Sequence, residues 1–487
     1  MTQANPHHER RWAILAILGI AQLMVVLDAT IVNIALPSAQ KALHFTNDNR
    51  QWIVTAYSLA FGSLLLLGGK ISDLFGRKWT FIGGLAGFAL ASAVGGAAQS
   101  FVMLAVARAF QGAFGALLAP AALSLLTTTF TETGERNKAF GIYGAIAGSG
   151  ASIGLLLGGV LTQYLNWRFS MYVNSVFAVF AISGAMTLLH NQASTDRAKL
   201  DLPGTATVSL GLFALVFGFN HAQTTSWSDG LTVATLAAGV ALLGLFIAIE
   251  RRIAHPLMPM RVLADRNRGA SFLAMLLSAA AMFGVFLFLT YYMQQTRGYS
   301  PVTTGLAFLP MTAVIMVTAV IATTRLRGRF GARPLVTAGM ALGAVGMLML
   351  TGIGLTTSYL TGILPGLLVM GLGLGLVFST AMNSATLGVE PSDAGVASAT
   401  VNAAQQVGGS LGTALLSTLA ASAATSFVTG SGSRPTAALL AHAAVHGYTV
   451  AFTVSAGIFA VGAVIAGLLY ERGLAAAETV GEPVLAA

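Results

Sequence analysis

Residues 69–78 read GKISDLFGRK, and residues 324–333 read TRLRGRFGAR. Each stretch follows a long apolar run, carries several basic residues and has a glycine at its eighth position. The second copy lacks the acid of the first, because Gly328 stands where the first has Asp73. Two related loops so far apart indicate a chain built from two similar halves, each with this loop after its second helix.

The composition excludes a soluble globular protein. Of 487 residues, 55% are hydrophobic and only 8% are charged, and the mean hydropathy is +0.78. Soluble domains carry about 25% charged residues, so lipid must cover most of this surface. Apolar runs of about 20 residues recur along the chain, and each is long enough to cross about 30 Å of hydrocarbon. The sequence therefore predicts an all-α integral membrane protein.

The apolar runs predict fourteen transmembrane helices, arranged as two six-helix bundles with an inserted helix pair. We expect the N-terminal bundle at 1–190, the inserted pair with its linkers at 191–268, and the C-terminal bundle with a cytoplasmic tail at 269–487. Parallel repeats of this kind are characteristic of secondary transporters. The predicted spans are 12–36, 52–70, 79–98, 102–128, 138–163, 169–190, 204–220, 231–250, 269–293, 303–324, 334–354, 358–382, 395–425 and 446–470.

Basic residues fall mainly on one side of this topology. Positively charged loops remain in the cytoplasm, so both termini are predicted to be cytoplasmic. The net charge of +9 then reflects loops that face an anionic leaflet, and it does not indicate nucleic-acid binding. The predicted inside segments hold Arg10, Arg11, Lys70, Arg77, Lys78, Arg136, Lys138, Arg197, Lys199, Arg251, Arg252, Arg261, Arg266, Arg268, Arg325, Arg327, Arg329, Arg333 and Arg472.

Asp28 is the one acid well inside a predicted span, and Arg108 is the one base. A charged carboxylate at the bilayer centre costs about 2.5–3.5 kcal/mol, so Asp28 must face a cavity or a partner. Burial favours its neutral form, which makes it a candidate proton carrier, unless it is a passive hydrated acid near the helix end. Arg108 does not deprotonate, so it either sets the local potential or bonds carbonyls between packed helices.

The first repeated loop is a candidate conformational latch. Asp73 can accept hydrogen bonds from Arg77 and from the N-terminal end of a neighbouring helix, which favours anions. A plain positive-inside turn would need neither Asp73 nor Gly76. The latch comprises Gly69, Asp73, Gly76, Arg77 and Lys78, and we expect a weaker gate at the second copy, where the acid is missing.

A stripe of small residues runs along the fifth span. Gly150, Gly154 and Gly158 recur every four residues, and Gly159 follows them. Small residues on one helix face let backbones approach closely in lipid, which predicts a packing seam here.

Several of these motifs resemble the major facilitator superfamily, and specifically its fourteen-helix drug:proton antiporters. Residues 69–78 match the loop signature G-x-x-x-D-x-x-G-R-K/R, residues 27–37 (LDATIVNIALP) match the first-helix motif, and residues 108–112 (RAFQG) match R-x-x-Q-G. Residues 150–159 resemble the antiporter motif G-x-x-x-G-P-x-x-G-G, with Leu155 in place of the proline, which removes an expected kink. Residues 299–310 and 402–409 are also similar to this branch.

The resemblance implies a function and an energy source. It implies a proton-coupled exporter of hydrophobic drugs or antibiotic-like metabolites in a bacterial inner membrane, with Asp28 and Arg108 in proton coupling. The proton gradient would be the energy source, with no cofactor, and we expect a monomer. The second half has no buried acid, so the expected substrates are neutral compounds or monovalent cations. Polar residues in the spans are candidates for the substrate cavity or for helix–helix hydrogen bonds: Asn33, Tyr57, Gln111, Tyr292, Gln294, Asn383, Asn402 and Gln406.

Other function classes remain as alternatives. An importer or facilitator could share the fold, since fold does not set direction. A polytopic membrane enzyme is a remote alternative, because no histidine lies beside an acid within a span, and we predict no enzymatic activity. His442 and His446 are four residues apart but have no nearby carboxylate, so no metal site is expected.

Overall fold

The computed structural model describes residues 10–45, 47–190, 201–253, 256–390, 393–431 and 436–471. Within these ranges all regular secondary structure is helical. Lipid offers the backbone no hydrogen-bond partner, so the backbone N–H and C=O groups bond to each other within helices. The helices are α1 (Arg11–Leu43), α2 (Asn47–Phe75), α3 (Arg77–Gly96), α4 (Phe101–Thr129), α5 (Thr133–Tyr164), α6 (Phe169–Leu188), α7 (Leu202–Thr224), α8 (Gly230–Glu250), α9 (Met260–Ala264), α10 (Arg266–Gly284), α11 (Pro301–Ile321), α12 (Arg327–Phe330), α13 (Ala332–Leu350), α14 (Leu364–Thr386), α15 (Ala394–Gly430) and α16 (Ala437–Leu469).

Thirteen helices in the described ranges are long and apolar enough to cross a membrane. The remaining long helix, α5, has 32 residues and covers the predicted fifth span. The all-α, multi-pass architecture predicted from the sequence is confirmed, and the count of fourteen spans stays a prediction. Short π-helical turns extend α10 and α11 and precede α14 (Val285–Leu289, Tyr292–Thr296, Ala322–Leu326 and Tyr359–Ile363), which the apolar pattern did not indicate.

The helices pack as two groups joined by a seam. In the first group α4 lies against α2 and α3, α5 lies against α1, and α6 lies against α3 and α1. In the second, α13 packs on α14 and α16, and α10 packs on α15 and α16. The groups meet where α5 contacts α11 and α14, and where α2 and α4 contact α15.

The inserted pair α7–α8 joins the bundle mainly through α7. This helix contacts α2 of one group and α15 of the other, while α8 packs chiefly on α7. Thr55 Oγ1 of α2 donates to Asn220 Oδ1 of α7 at 3.3 Å. Trp227 Nε1, in the turn before α8, donates to Thr418 Oγ1 of α15 at 3.0 Å. The inserted pair therefore touches both groups along one side.

The two repeated loops break their helices in the same way. Gly76 has φ 95° between α2 and α3, and Gly331 has φ 76° between α12 and α13. Both values lie in the region that side chains with a Cβ rarely adopt, which explains why glycine stands at the eighth position of each copy. These loops lie at the end of the bundle where α1 begins, which we call the basic end.

The glycine stripe of α5 packs against α1. A Cβ built on Gly150 would lie 2.6 Å from Val26 Cγ1, and one on Gly158 would lie 3.1 Å from Ile31 Cα. Gly154 faces Thr30 in the same seam, and Gly159 is buried. The helix continues unbroken past Leu155, whose side chain lies outside the described residues. The stripe is thus a seam within the first group, while other faces of α5 meet α11 and α14.

Candidate functional site

Asp28 and Arg108 form an ion pair in the interior of the first helix group. Arg108 Nη1 of α4 lies 2.5 Å from Asp28 Oδ2 of α1. Asp28 is 0% exposed and Arg108 is 1% exposed. The sequence placed one acid and one base inside the spans, and the fold brings these two side chains together across 80 residues of chain.

Three amide and hydroxyl side chains complete the surroundings of Asp28. Asn174 Nδ2 of α6 donates to Asp28 Oδ1 at 2.7 Å, and Gln111 Nε2 of α4 donates to the same oxygen at 3.1 Å. Ser92 Oγ of α3 accepts from Gln111 at 2.6 Å and from Asn174 at 3.4 Å. All three side chains are 0% exposed. The carboxylate is therefore enclosed by hydrogen-bond donors of α4 and α6, and Ser92 of α3 lies behind two of these donors.

Arg108 is fixed by further contacts on its other side. Its Nε donates to the carbonyl oxygen of Ile53 at 3.3 Å, and its Nη1 donates to Gln111 Oε1 at 2.9 Å. Its guanidinium carbon lies 4.3 Å from the centre of the Tyr57 ring, a cation–π arrangement. Removing one partner of a buried pair leaves an uncompensated charge that costs about 3–5 kcal/mol. Arg108 therefore ties α4 to α1 through Asp28 and to α2 through Ile53 and Tyr57.

Sequence reasoning named Asp28, Arg108, Tyr57 and Gln111 but missed Ser92 and Asn174. No motif singles out these two residues. Their one signal is that each is a polar residue in a predicted span, a property shared with many hydroxyl and amide side chains that only bond their own helix.

The other proposed cavity residues whose side chains the structure describes do not converge on one cavity. Tyr292 is 0% exposed and donates its hydroxyl to the carbonyl oxygen of Gly354 at 2.6 Å. Asn402 donates to the carbonyl oxygen of Ser398 in its own helix at 2.9 Å. Gln406 is half-buried and lies beside α2. A Cβ built on Gly62 of α2 would lie 3.1 Å from Gln406 Cγ.

The last three candidates lie elsewhere. Gln294 is half-buried near the end of the π-helical extension of α10. Asn383 lies at the basic end, where its Nδ2 donates to Asn137 Oδ1 of α5 at 2.7 Å. The side chain of Asn33 lies outside the described residues.

The residues proposed as a latch connect the two groups at the basic end. Asp73 Oδ1 accepts from the backbone N–H of Gly395, in the first turn of α15, at 3.2 Å. Arg77 Nη2 lies 3.7 Å from the same oxygen. A Cβ on Gly69 would lie 2.6 Å from the carbonyl oxygen of Gly395, so α2 and α15 touch through glycine. Lys78 instead donates to the carbonyl oxygen of Met186 at 3.0 Å, within the first group.

A second contact between the groups lies beside α14. Arg136 of α5 donates from Nε to Asn383 Oδ1 at 3.2 Å and from Nη2 to Thr386 Oγ1 at 3.0 Å. The second repeated loop supplies no acid here, and a Cβ on Gly328 would meet nothing within 4 Å. With both contacts made, the basic end is closed.

The sequence profile of the Major Facilitator Superfamily matches residues 18–413. The chain belongs to the major facilitator superfamily. The chain is 47% identical over 474 residues to "Puromycin resistance protein pur8" of Streptomyces alboniger, with 97% of the chain and 94% of that protein covered. It is 38% identical over 424 residues to "Cephamycin export protein CmcT" of Amycolatopsis lactamdurans, with 86% and 85% covered.

A solved structure shows the same fold. The human organic anion transporter MFSD10 (TETRAN) superposes on this protein with a TM-score of 0.62 and 15% identity, covering 94% of the chain and 99% of that transporter. At this identity the likeness concerns the fold alone. The resemblance found in the sequence motifs is confirmed: this is a multi-pass membrane protein of the superfamily, and both curated relatives named above are bacterial antibiotic resistance or export proteins.

Asn174→Leu is expected to lower the thermal stability of the protein, because Asp28 loses its shorter amide hydrogen bond inside the bundle. An unsatisfied buried group costs about 1–3 kcal/mol, and more when it is charged. The melting temperature of the purified protein measures the effect. Ser183→Ala is the matched control, since Ser183 is exposed on the same helix and its hydroxyl donates to the carbonyl oxygen of Val179 in that helix. Equal melting temperatures for both variants would show that Asn174 does not support the pair.

Proposed function

We propose that this protein is a proton-coupled exporter of hydrophobic, antibiotic-like small molecules in the bacterial cytoplasmic membrane. The observation that carries the proposal is the Asp28–Arg108 pair, a protonatable carboxylate buried against a fixed cation inside a membrane span. The names of the relatives, puromycin resistance and cephamycin export, support the direction of transport and the class of substrate.

The excess of basic residues supports a cytoplasmic location for the closed basic end, with both termini on that side. The conformation described above then corresponds to the stage at which the cytoplasmic entrance is shut. A proton from outside that binds Asp28 removes the negative charge that balances Arg108. The two halves then separate at the cytoplasmic side, substrate enters, and release of the proton inside restores the pair and closes that side again.

The packing of α4 on α2 supports this coupling. Four residues after Arg108, Gly112 lies against the backbone of Tyr57, and Gly68 of α2 lies against the backbone of Ala116. Contacts without intervening side chains move as a unit, because nothing between them can rearrange. The next residue of α2 is Gly69, which touches α15. A shift of α4 that follows the charge of Asp28 is therefore transmitted to the latch.

The energy of one proton is sufficient for useful export. Each charge that crosses 100 mV yields about 2.3 kcal/mol. At about 1.4 kcal/mol per tenfold, one exchanged proton sustains a gradient of roughly 50-fold for a neutral compound. We expect the protein to need no cofactor, to act as a monomer, and to accept neutral or monovalent cationic substrates.

Proton release from energised inverted membrane vesicles tests this proposal. Respiration acidifies the lumen, and a pH-sensitive dye reports the gradient. Under antiport, adding puromycin or another member of an antibiotic panel makes protons leave the lumen as the compound enters, so part of the dye signal returns. The expected result is a compound-dependent return in vesicles that contain the protein and none in vesicles from cells without it.

The same assay separates the alternatives. A facilitator lets the compound equilibrate without changing the dye signal, and its flux persists after a protonophore is added. A proton-coupled importer moves the compound out of inverted vesicles together with protons. Either result contradicts export by antiport.

A further inference from the structure

Two buried arginines at the basic end have no carboxylate partner among the residues that the structure describes. Arg136 of α5 and Arg327 of α12 are each 7% exposed. The ion pairs formed by arginines of the described ranges involve Arg11, Arg77, Arg108 and Arg261, and neither of these two. Buried charges in proteins are normally paired, so two unpaired cations in one region require an explanation.

Within the described part of the chain, the hydrogen-bond partners of the two guanidinium groups are neutral. Arg136 donates to Asn383 Oδ1, to Thr386 Oγ1 and, at 3.4 Å, to the carbonyl oxygen of Thr127. Arg327 donates from Nη1 to the carbonyl oxygen of Thr380 at 3.2 Å and to Ser384 Oγ at 3.0 Å. These bonds orient both groups toward the last two turns of α14 but supply no negative charge.

The two cations belong to opposite halves and oppose each other. Burial, and after it the charge of Arg327, lowers the pKa of Arg136 to about 10. The acids at the start of α5 do not relieve this repulsion, because Glu135 pairs with Arg11 at 2.5 Å and Glu132 is exposed.

Aromatic side chains are the other neighbours of the two arginines. The phenol of Tyr470 lies near Arg327 and hydrogen-bonds Ser271 at 2.7 Å. The ring of Phe140 covers the guanidinium of Arg136, with 4.8 Å between the guanidinium carbon and the ring centre. The described surroundings therefore hold two positive charges, hydroxyls, an amide and an aromatic face.

We propose that Arg136 and Arg327 bind one oxyanion, of the phosphate or carboxylate class, at the seam between the two halves. Guanidinium groups present planar forks of N–H donors that match the oxygens of phosphate and carboxylate. The hydroxyls of Ser384 and Thr386 lie beside them and can turn to donate as well. A single bound anion offsets the positive charge of both arginines, whereas their neutral hydrogen-bond acceptors do not.

Such an anion favours the closed basic end. Arg136 moves with the first half and Arg327 with the second, so the full site exists only while the halves are together. A ligand that binds one state better shifts the equilibrium toward it. The site is therefore a means by which an anion at the cytoplasmic surface adjusts the balance between closed and open states. The anion is either a phospholipid headgroup of the cytoplasmic leaflet or free phosphate.

The melting temperature of the full-length protein tests the site, with inorganic phosphate as the probe at constant ionic strength in a neutral detergent. We expect phosphate to raise the melting temperature of the wild type. Arg327→Gln is expected to weaken the apparent phosphate affinity at least about tenfold, because one charge-assisted fork is lost. Arg329→Gln is the matched control, since Arg329 is exposed two residues away and should respond like the wild type.

The melting temperature of Arg327→Gln in phosphate-free buffer provides an independent readout. Arg327→Gln relieves the repulsion on Arg136, so in phosphate-free buffer it should melt at or above the temperature of the wild type. A lower melting temperature together with an unchanged phosphate response would overturn the proposal. Arg136→Gln should lose the response as well, although it also loses contacts to Asn383 and Thr386.

Nanodiscs distinguish the two sources of the anion. Protein in phosphatidylglycerol discs is compared with protein in phosphatidylcholine discs, both without phosphate. A stabilisation by phosphatidylglycerol that Arg327→Gln abolishes identifies a lipid headgroup. A response to phosphate alone identifies a soluble anion. If neither probe stabilises the wild type, or if both stabilise Arg327→Gln equally well, the two arginines do not form an anion site.

Discussion

Asp28→Asn is expected to abolish proton-driven export, with a loss of at least about 100-fold in initial rate. The amide cannot take up and release a proton, and it leaves the buried guanidinium of Arg108 without a counter-charge. The cost of breaking such a pair is about 3–5 kcal/mol, which corresponds to a factor of more than 100 in an equilibrium. Transport of a fluorescent lipophilic cation into energised inverted vesicles provides the measurement.

The matched control for this substitution is Asp229→Asn. Asp229 caps α8 by accepting from the backbone N–H of Leu231 at 3.0 Å, and an asparagine oxygen accepts the same bond. It lies outside the spans, so export should remain near the wild-type rate. Full gradient-dependent export in Asp28→Asn would remove Asp28 from the proton pathway and leave the antiporter assignment intact.

A double variant separates charge from packing. In Asp28→Asn the charge of Arg108 is uncompensated, whereas Asp28→Asn combined with Arg108→Gln has no buried charge at this point. The double variant should therefore melt at a higher temperature than the single variant, because replacing both members of a buried pair costs less than removing one. If the loss of stability in the double variant equals the sum of the losses in Asp28→Asn and Arg108→Gln, the contact contributes no pairing energy.

Gly395→Val is expected to hold the protein open at the basic end and to reduce export by about tenfold to 100-fold. A Cβ at this position would lie 2.5 Å from the carbonyl oxygen of Gly69 and 2.6 Å from Asp73 Oδ2. Forcing a side chain into such a contact costs about 1–3 kcal/mol, and separating the halves avoids that cost. The closed state is therefore the one that the substitution disfavours.

Cysteine labelling measures this opening directly, because the chain contains no cysteine. Ser398→Cys places a thiol one turn along α15 at a position that is 0% exposed in the closed state. A membrane-impermeant maleimide should label it at least about tenfold faster when Gly395→Val is present. Gly83→Val is the control, since a Cβ there meets nothing within 4 Å. Equal labelling in the two backgrounds would mean that this glycine contact does not govern closure.

The chemistry of the candidate site was visible in the sequence, but its geometry was not. Asp28 and Arg108 stand out because charged residues are rare in apolar spans. A different argument singled out Asp73, since a plain basic loop has no need of an acid. Asn383 shows where sequence reasoning fails. As a polar residue in a predicted span it was grouped with the cavity candidates, whereas the fold places it against Arg136.

The sequence by itself determined the membrane environment, the helical class, the repeated loops and the family, because these follow from hydrophobicity, length and local motifs that need no partner. Only the tertiary structure decided which polar groups meet. Asn174 of α6 bonds Asp28, Ser92 of α3 bonds Asn174, and Arg136 lies near Arg327 across the seam between the halves. Such pairings depend on how helices distant in sequence rotate and cross, and a rotation that packs one face against a neighbour fixes every polar side chain on it at once.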